Sequence, residues 1–242
     1  DDLVSGEGVQ SNQFLIVDNG QYLLLDPGGD LTYTPLSLEL SKRFPLQELD
    51  YIFASHQDPD IIAALDKWLL HTRARVICSK LWARFLPHLT ANYLAVSHGI
   101  NTYDRVIPLP DRGQAIALGD CSLKAIPAHF LHSVGNFQLY DPVSKILFSG
   151  DMGASLVDDA APVSDFAAHI QYMDGFHRRY MAANKICRLW ARMVRDMDVE
   201  MIVPQHGRPF VGKEMISAFL YWIENLECGI DLLGPDDYRM PG

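Results

Sequence analysis

The side chains in this sequence that could do chemistry are metal-ligand types, and they recur in one setting. Ser55-His56-Gln57-Asp58-Pro59-Asp60-Ile61 packs one imidazole and two carboxylates directly behind the apolar run Tyr51-Ile52-Phe53-Ala54. His132 follows Ala128-His129-Phe130-Leu131, Asp151 follows Ile146-Leu147-Phe148-Ser149-Gly150, and His206 follows Ile202-Val203-Pro204-Gln205. Each lies just past an apolar stretch, where side chains emerge from the edge of a sheet. A capping aspartate or a hydrogen-bonded core histidine accounts for any one of them alone. Repeated at several strand ends, the arrangement points to nitrogen and oxygen donors gathered around metal.

The elements that must position these residues read clearly in places. Gln13–Val17 and Gln21–Leu25 flank Asn19-Gly20, a strong hairpin signal because both turn positions tolerate positive φ. Residues 35–44 read as a helix with Pro35 in its first turn. Ile61, Ile62, Leu65, Trp68 and Leu69 recur at helical spacing up to His71. Arg75–Cys78 reads as a strand, and Ser79 as the N-cap of a helix running to about Val96, kinked at Pro87. Residues 105–128 alternate as strands, and 136–140 with 145–149 form a second hairpin. A long polar loop is expected over 153–170, a helix over 175–197, a strand over 200–203 and a final helix over 212–233. The expected whole is one layered α/β domain spanning 1–242, with helices outside two β-rich halves.

Composition narrows the classes. The chain has 242 residues, enough for a full core, and a formal charge of −10, which disfavours a nucleic-acid binder. No apolar run approaches a membrane span, and Asp1-Asp2-Leu3-Val4 shows neither the basic nor the apolar region of a signal peptide. The sequence does not begin with Met, so an upstream segment is compatible with it. Cys78, Cys121, Cys187 and Cys228 are scattered and read as buried free thiols of a reducing cytoplasm.

The pattern His-x-[Glu/Asp]-x-Asp, then His132, then Asp151 nineteen residues on, then His206 before Gly207, resembles the metallo-β-lactamase superfamily. Leu24-Leu25-Asp26-Pro27-Gly28 and Phe148-Ser149-Gly150-Asp151 are similar to its Asp-Gly turn and to the turn carrying its bridging aspartate. The resemblance implies an αββα sandwich with a binuclear site at the sheet edges. Hydrolytic members carry His where this chain has Asp58. A carboxylate there resembles the diiron branch, the flavodiiron O₂ and NO reductases, and harder oxygen ligands favour iron over zinc. By resemblance the first metal takes His56, Asp58 and His132, Asp151 bridges, and the second metal takes Asp60 and His206.

Two departures qualify this. Asp58 is one methylene shorter than the branch's Glu, and Ile61 stands where the next histidine ligand is expected. The ligand missing at Ile61 implies either a weakly bound second iron and a partly mononuclear site, or a vacancy where O₂ binds, with His129 a substitute ligand or a hydrogen-bonding neighbour of one. No flavodoxin-like unit or Gly-rich phosphate loop is visible, so no flavin is expected in this chain. It thus resembles the oxygen-binding diiron proteins of bacterial signalling, which implies two Fe, a ferric-peroxo adduct with O₂, and a signalling protein or fused output domain as partner. The alternatives are an O₂ or NO reductase fed by a separate electron donor, and a dizinc hydrolase, which Asp58 disfavours.

Tyr172 and Tyr180 are candidates to line an oxygen pocket, Tyr172 foremost. Arg178, Lys185, Arg188, Arg192 and Arg195 form a basic stripe along the expected 175–197 helix, read as a solvated face or a docking face. Trp222 and its neighbours face either core or a homodimer partner.

Overall fold

The computed structural model describes residues 10–90 and 92–241; the opening Asp1-Asp2-Leu3-Val4 read for a leader lies outside them. The first sheet is built from β1 (Phe14–Asp18), β2 (Gln21–Leu25), β3 (Tyr51–Phe53), β4 (Arg75–Ser79) and β5 (Val106–Leu109), in that spatial order. The hairpin β1–β2 is antiparallel and β2 through β5 run parallel. Parallel neighbours need crossovers, and helices supply them. These are α1 (Asp30–Ser41), α2 (Pro59–Ile62) with α3 (Leu65–His71), and α4 (Lys80–Ala83) with α5 (Asn92–His98).

The second sheet comprises β6 (Gln114–Leu118), β7 (Cys121–Pro127), β8 (Phe137–Asp141), β9 (Ile146–Gly150), β10 (Met201–Pro204) and β11 (Phe210–Val211), ordered β11-β10-β9-β8-β7-β6. It is an antiparallel meander except where β10 returns parallel to β9. That return runs through α6 (Phe166–His169), α7 (Asp174–Tyr180) and α8 (Asn184–Arg195), and α9 (Lys213–Glu224) follows β11.

Alternation along the strands builds the layers. Leu23 and Leu25 face the second sheet, where Phe53, Ile77, Phe137, Leu139 and Phe148 join one buried cluster. Leu24 faces the other way, into a cluster with Ile52, Val76, Leu40 and Trp68 under the first helices. Leu147 and Ile202 of the second sheet pack with Trp190, Phe219 and Ile223 of α8 and α9. Helix, sheet, sheet and helix stack in turn, the αββα sandwich of the metallo-β-lactamase type.

The helices depart from their expected bounds for identifiable reasons. α1 starts at Asp30, where the Thr32 and Tyr33 amides donate to Gly29, and Pro35 sits inside it. The 79–96 helix is broken on either side of a 3-10 turn holding Pro87, which has no amide to continue the ladder. Ser79 does cap the first piece, accepting from the Leu81 amide. The 175–197 helix is two helices, interrupted at Met181–Ala183, where the chain turns extended to pair with other segments. The interruption divides the basic stripe, and Arg178 pairs with Asp174 while Arg192 and Arg195 reach Glu224. α9 ends at Glu224 rather than near 233. Trp222 packs on Phe219 and His177, part of the core side of that helix. Among the described residues, no helix is long and apolar enough to cross a membrane.

Candidate metal centre

The ligand-type residues meet at the ends of β3, β7, β9 and β10. β3 stops at Phe53, and the Ser55 amide donates to the Asp26 carboxylate at 2.8 Å, bending the chain so that His56 and Asp58 leave the sheet edge. Pro59 opens α2, which carries Asp60 in its first turn. The connection between β7 and β8 carries His132, with Phe130 at φ 67° and His132 itself at φ 76°. These left-handed non-glycine residues are costly and persist only where the surroundings hold them. Asn136 does so in part, donating to the Leu131 carbonyl at 2.7 Å. Gly150, at φ 56°, turns the chain out of β9 to present Asp151.

Ligand atoms of His56, Asp58, His132 and Asp151 all lie within 4.8 Å of one another. His132 Nε2 is 2.7 Å from Asp58 Oδ2 and 3.6 Å from Asp151 Oδ2, and His56 Nε2 is 3.7 Å from both of those oxygens. The other oxygen of Asp151, Oδ1, is 3.7 Å from His206 Nε2, which lies 3.2 Å from Asp60 Oδ2. Asp151 therefore turns one oxygen to each of two ligand clusters. These spacings suit donors arranged around ions at bond lengths of roughly 2 Å. His56 Nε2 and Asp151 Oδ1 are buried without any hydrogen-bond partner, as is His132 Nδ1. Buried polar atoms of this kind are rare in folded proteins, and cations facing the first two would satisfy them. His56, Asp58, His132 and Asp151 fit a metal ion, and His206, paired with Asp60, stands 3.7 Å from the other oxygen of Asp151.

Neighbouring groups orient the rings. His206 Nδ1 is 2.7 Å from the Gln10 carbonyl, which can only accept, so Nδ1 carries the hydrogen and Nε2 faces the carboxylates. Asn12 donates to the carbonyls of Pro204 and Gly207, and the Gly207 amide donates to Gln10 Oε1. His56 Nδ1 is 2.9 Å from Ser55 Oγ. Gln57 donates to Asp58 Oδ1 and accepts from the Ser133 hydroxyl, tying the first two ligand segments together.

Charge follows from burial and pairing. Burial lowers the His56 pKa, so its imidazole is neutral and ready to ligate. Burial opposes charge on His206 as well, yet the Asp60 hydrogen bond and the Asp151 charge raise its pKa to about 9. His132 behaves similarly: desolvation is outweighed by the bond to Asp58 and by Asp151. The hydrogen bonds from His132 and His206 hold Asp58 and Asp60 below the usual carboxylate range. Asp26, wholly buried behind the site, is pushed up to about 7 by desolvation, against the Ser55 amide.

The remaining candidates fall elsewhere. His129 Nε2 is 2.7 Å from the Asp111 carbonyl, and its ring sits edge-on to Phe137, outside the converging ligand atoms. Ile61 is fully buried in the cluster beneath the first helices, and its carbonyl accepts from the Gly28 amide. Tyr172 is half exposed and packs on His169. The tyrosine against a ligand ring is Tyr180, whose centroid lies 5.2 Å from that of His132 while it stacks on Phe176. Sequence reasoning did not single out the Gln10–Asn12 clamp or His177. The His177 ring accepts from the Gly153 amide at 3.0 Å through Nε2, and its Nδ1 donates to the Met173 carbonyl. It thereby pins the turn after Asp151 to α7.

Paired sheets with a histidine and aspartate constellation at their strand ends define a protein of the metallo-β-lactamase fold. The chain belongs within that fold to the ODP family beta lactamases, whose family model matches residues 9–207. A solved structure of the peroxy diiron species of the chemotaxis sensor ODP is 41% identical, covers 93% of this chain and 90% of its own, and superposes with a TM-score of 0.82. The apo state of the chemotaxis sensor ODP from T. denticola is 42% identical over 91% of this chain and 88% of its own, with a TM-score of 0.81. A flavo-diiron protein from Thermotoga maritima shares the fold at 19% identity, with a TM-score of 0.72 over 88% of this chain and 52% of its own. An uncharacterised protein of Methanocaldococcus jannaschii is 27% identical over 88% of this chain and 52% of its own length. The chain spans about half the length of the curated relatives it matches.

Proposed function

We propose that this protein is a non-haem diiron protein that binds O₂ as a cytoplasmic oxygen or redox sensor, passing its state to a signalling protein or an output domain. The observation that carries the reading is Asp151, which offers one carboxylate oxygen to the His56, Asp58 and His132 cluster and the other to Asp60 and His206. The similarity to a chemotaxis sensor seen in a peroxy diiron state supports the choice of iron and O₂. Iron held at these residues supplies a change of oxidation state, the chemistry on which O₂ binding draws.

The chain's own residues prepare the site. Gln10 and Ser55 hold the His206 and His56 rings with Nε2 inward. Phe176 and Tyr180 stack beside His132 and limit water on that side. Ile61, directly after Asp60 and buried in the cluster beneath the first helices, supplies no donor at the position where the resemblance leads to a further histidine ligand. A site short of one ligand and flanked by apolar groups favours holding O₂ over turning it over.

Metal analysis of protein from iron-replete cells, followed by rapid mixing of the reduced protein with O₂, tests this. The expected result is about two iron per chain, the complement a bridging carboxylate serves, and a visible absorption band that outlasts mixing. Near-stoichiometric zinc with hydrolytic activity would overturn the iron reading. Sustained O₂ consumption with an added reductant would instead make the protein a reductase with a separate electron donor.

A further inference from the structure

Away from the metal centre, Cys187 in the first turn of α8 and Cys228 just beyond α9 bring their sulfurs to 3.8 Å across 41 residues of sequence. Both are free thiols, fully buried, with no part in the site described above. Their backbones are already fastened together. The Asp231 carboxylate accepts from the amides of Asn184 and Cys228, and the Asn184 side chain donates to the carbonyls of Glu224 and Leu226. Closing the gap to the roughly 2.0 Å of an S–S bond asks for side-chain movement rather than refolding.

What gives the pair a consequence is its attachment. The residue after Cys228 is Gly229, which pairs with Ala183 and donates its amide to the Arg178 carbonyl at 2.8 Å. The Ile230 amide donates to the Ala182 carbonyl, and the Ala182 amide donates to the Phe130 carbonyl. Met181 in turn pairs with Leu131, the neighbour of His132. Three short segments, 130–133, 181–183 and 228–230, thus form one hydrogen-bonded ribbon with a metal-ligand residue at one edge and a thiol at the other. The fit is close: a Cβ on Gly229 would stand 2.2 Å from the Met181 carbonyl oxygen and 2.3 Å from that of Ala182. The ribbon also holds the left-handed Phe130 and His132, the part of the site whose geometry depends most on outside support.

We propose that Cys187 and Cys228 are a redox pair that closes to an intramolecular disulfide under peroxide, and that closure shifts the ribbon and resets the His132 loop. The pair stands on its own geometry; its effect on the centre rests on the reading of His132 as a metal ligand. Either thiol can donate to the other, and Cys228, whose neighbour Gly229 lines an open groove, is the attacking thiol. Its sulfur takes one oxygen of hydrogen peroxide, the O–O bond breaks, and the other oxygen leaves as water after gaining a proton. The Cys187 sulfur then displaces the oxygen from the Cys228 sulfenic acid, forming S–S and releasing a second water. Two thiols lose two protons and two electrons in all, and one peroxide takes them up to become two waters. An open groove of about 460 Å³, lined by Arg178, Met181, Ala182, Gly229 and Ile230, reaches the residue next to Cys228, and a small uncharged oxidant suits its buried sulfur.

The test uses the full chain, first without metal. Denatured, the reduced protein should show the four thiols of its sequence. After a few equivalents of peroxide two should be lost, a peptide pair joined through Cys187 and Cys228 should appear, and dithiothreitol should reverse both. Amide exchange by mass spectrometry should change over 130–133 and 181–183, and cobalt(II), used as the probe metal, should bind about tenfold more weakly or more tightly, the range that ligand-supporting contacts command. Cys187→Ser and Cys228→Ser, prepared separately so that one misfolding leaves the other, should abolish all of these responses. Loss of Cys78 or Cys121 instead, or no loss at all, would overturn the pair. A disulfide that left exchange over 130–133 and cobalt affinity unchanged would overturn the coupling. Cobalt that bound the reduced protein with no dependence on His132 would overturn the metal-ligand reading and leave the pair intact.

Discussion

In the metal-free protein His206 holds its proton between Asp60 and Asp151, with a pKa raised to about 9. The fold thus favours the charged imidazole: the stabilisation is complete below the ordinary histidine pKa of 6.5 and is lost as pH rises through about 9. Asp26, raised to about 7 by burial, acts in the same direction, because its neutral form is favoured and that contribution fades between 3.8 and about 7. Below the ordinary histidine pKa the lowered His56 and His177 act in the opposite sense, so thermal unfolding of the metal-free protein should shift to lower temperature as pH rises from about 7 to about 9, and His206→Gln should flatten that slope. Metal must expel the His206 proton, so calorimetry in buffers of different ionisation enthalpy should register proton release on binding at neutral pH. Ile61 stands where the family resemblance leads to a further histidine ligand. The expected outcome for Ile61→His is tighter retention of the second metal against a chelator and faster decay of the O₂-induced absorption, both measured on reduced, iron-loaded protein. Unchanged decay would remove Ile61 from the account of O₂ binding.

Among elements, the interruption at Met181–Ala183 matters most. Helical spacing runs through it, yet those residues leave the helix to pair with Leu131 and Gly229, and the exchange places Tyr180 against His132. α7 is in turn fixed to the Asp151 turn by His177, whose neutral ring is assured by burial that lowers its pKa to about 4. His177→Leu strands the buried Gly153 amide, which costs about 1–3 kcal/mol. The expected result is a lower denaturation midpoint together with weaker cobalt(II) binding, and His177→Gln, which can still accept, should recover part of both. The turn at Gly207 makes a parallel case. Its φ is 76°, and an added Cβ would sit 2.0 Å from Ser155 Oγ and 2.5 Å from the Ser155 carbonyl. Gly207→Ala should therefore weaken metal binding through His206 more than its position outside the ligand set suggests.

Across the whole molecule, substitutions in the core between α8, α9 and the second sheet test how far the metal ligands depend on the outer helix layer. Phe219 is fully buried and stacks on Phe210 at a centroid distance of 4.5 Å, in the cluster between α8, α9 and the second sheet. Phe219→Ala should cost about 3–5 kcal/mol in chemical denaturation while leaving the metal stoichiometry of the folded fraction intact. A parallel loss of metal would show that the outer helix layer also holds the ligand loops. The 41% identity to a chemotaxis sensor extends over nearly the entire chain, whereas the flavo-diiron likeness covers about half of that longer protein at 19%. The mixing experiment with O₂ decides between the proposed sensor and a reductase.

Much of this was written locally in the sequence. An apolar run ending in His, Asp or Glu signals a side chain at a sheet edge, so the residues that converge, His56, Asp58, His132 and Asp151, could be picked out one strand at a time. Asp60 and His206 followed the same logic, and Asn19-Gly20 announced its hairpin through φ tolerance alone. Other features depend on contacts between segments distant in the chain, which no local pattern encodes. Gln10 and Asn12 orient His206 from nearly two hundred residues away, and nothing in their own neighbourhood marks them. Tyr180 rather than Tyr172 lies against His132 because α7 stops one residue before Met181. The thiols of Cys187 and Cys228 meet only because α8 and α9 pack side by side. Side-chain type and period determined which residues could bind metal and which faces could be buried. Tertiary packing alone decided which carbonyl holds each ring, where helices give way to strand pairing, and which two cysteines are neighbours, because those outcomes depend on the competition of distant partners for the same backbone groups.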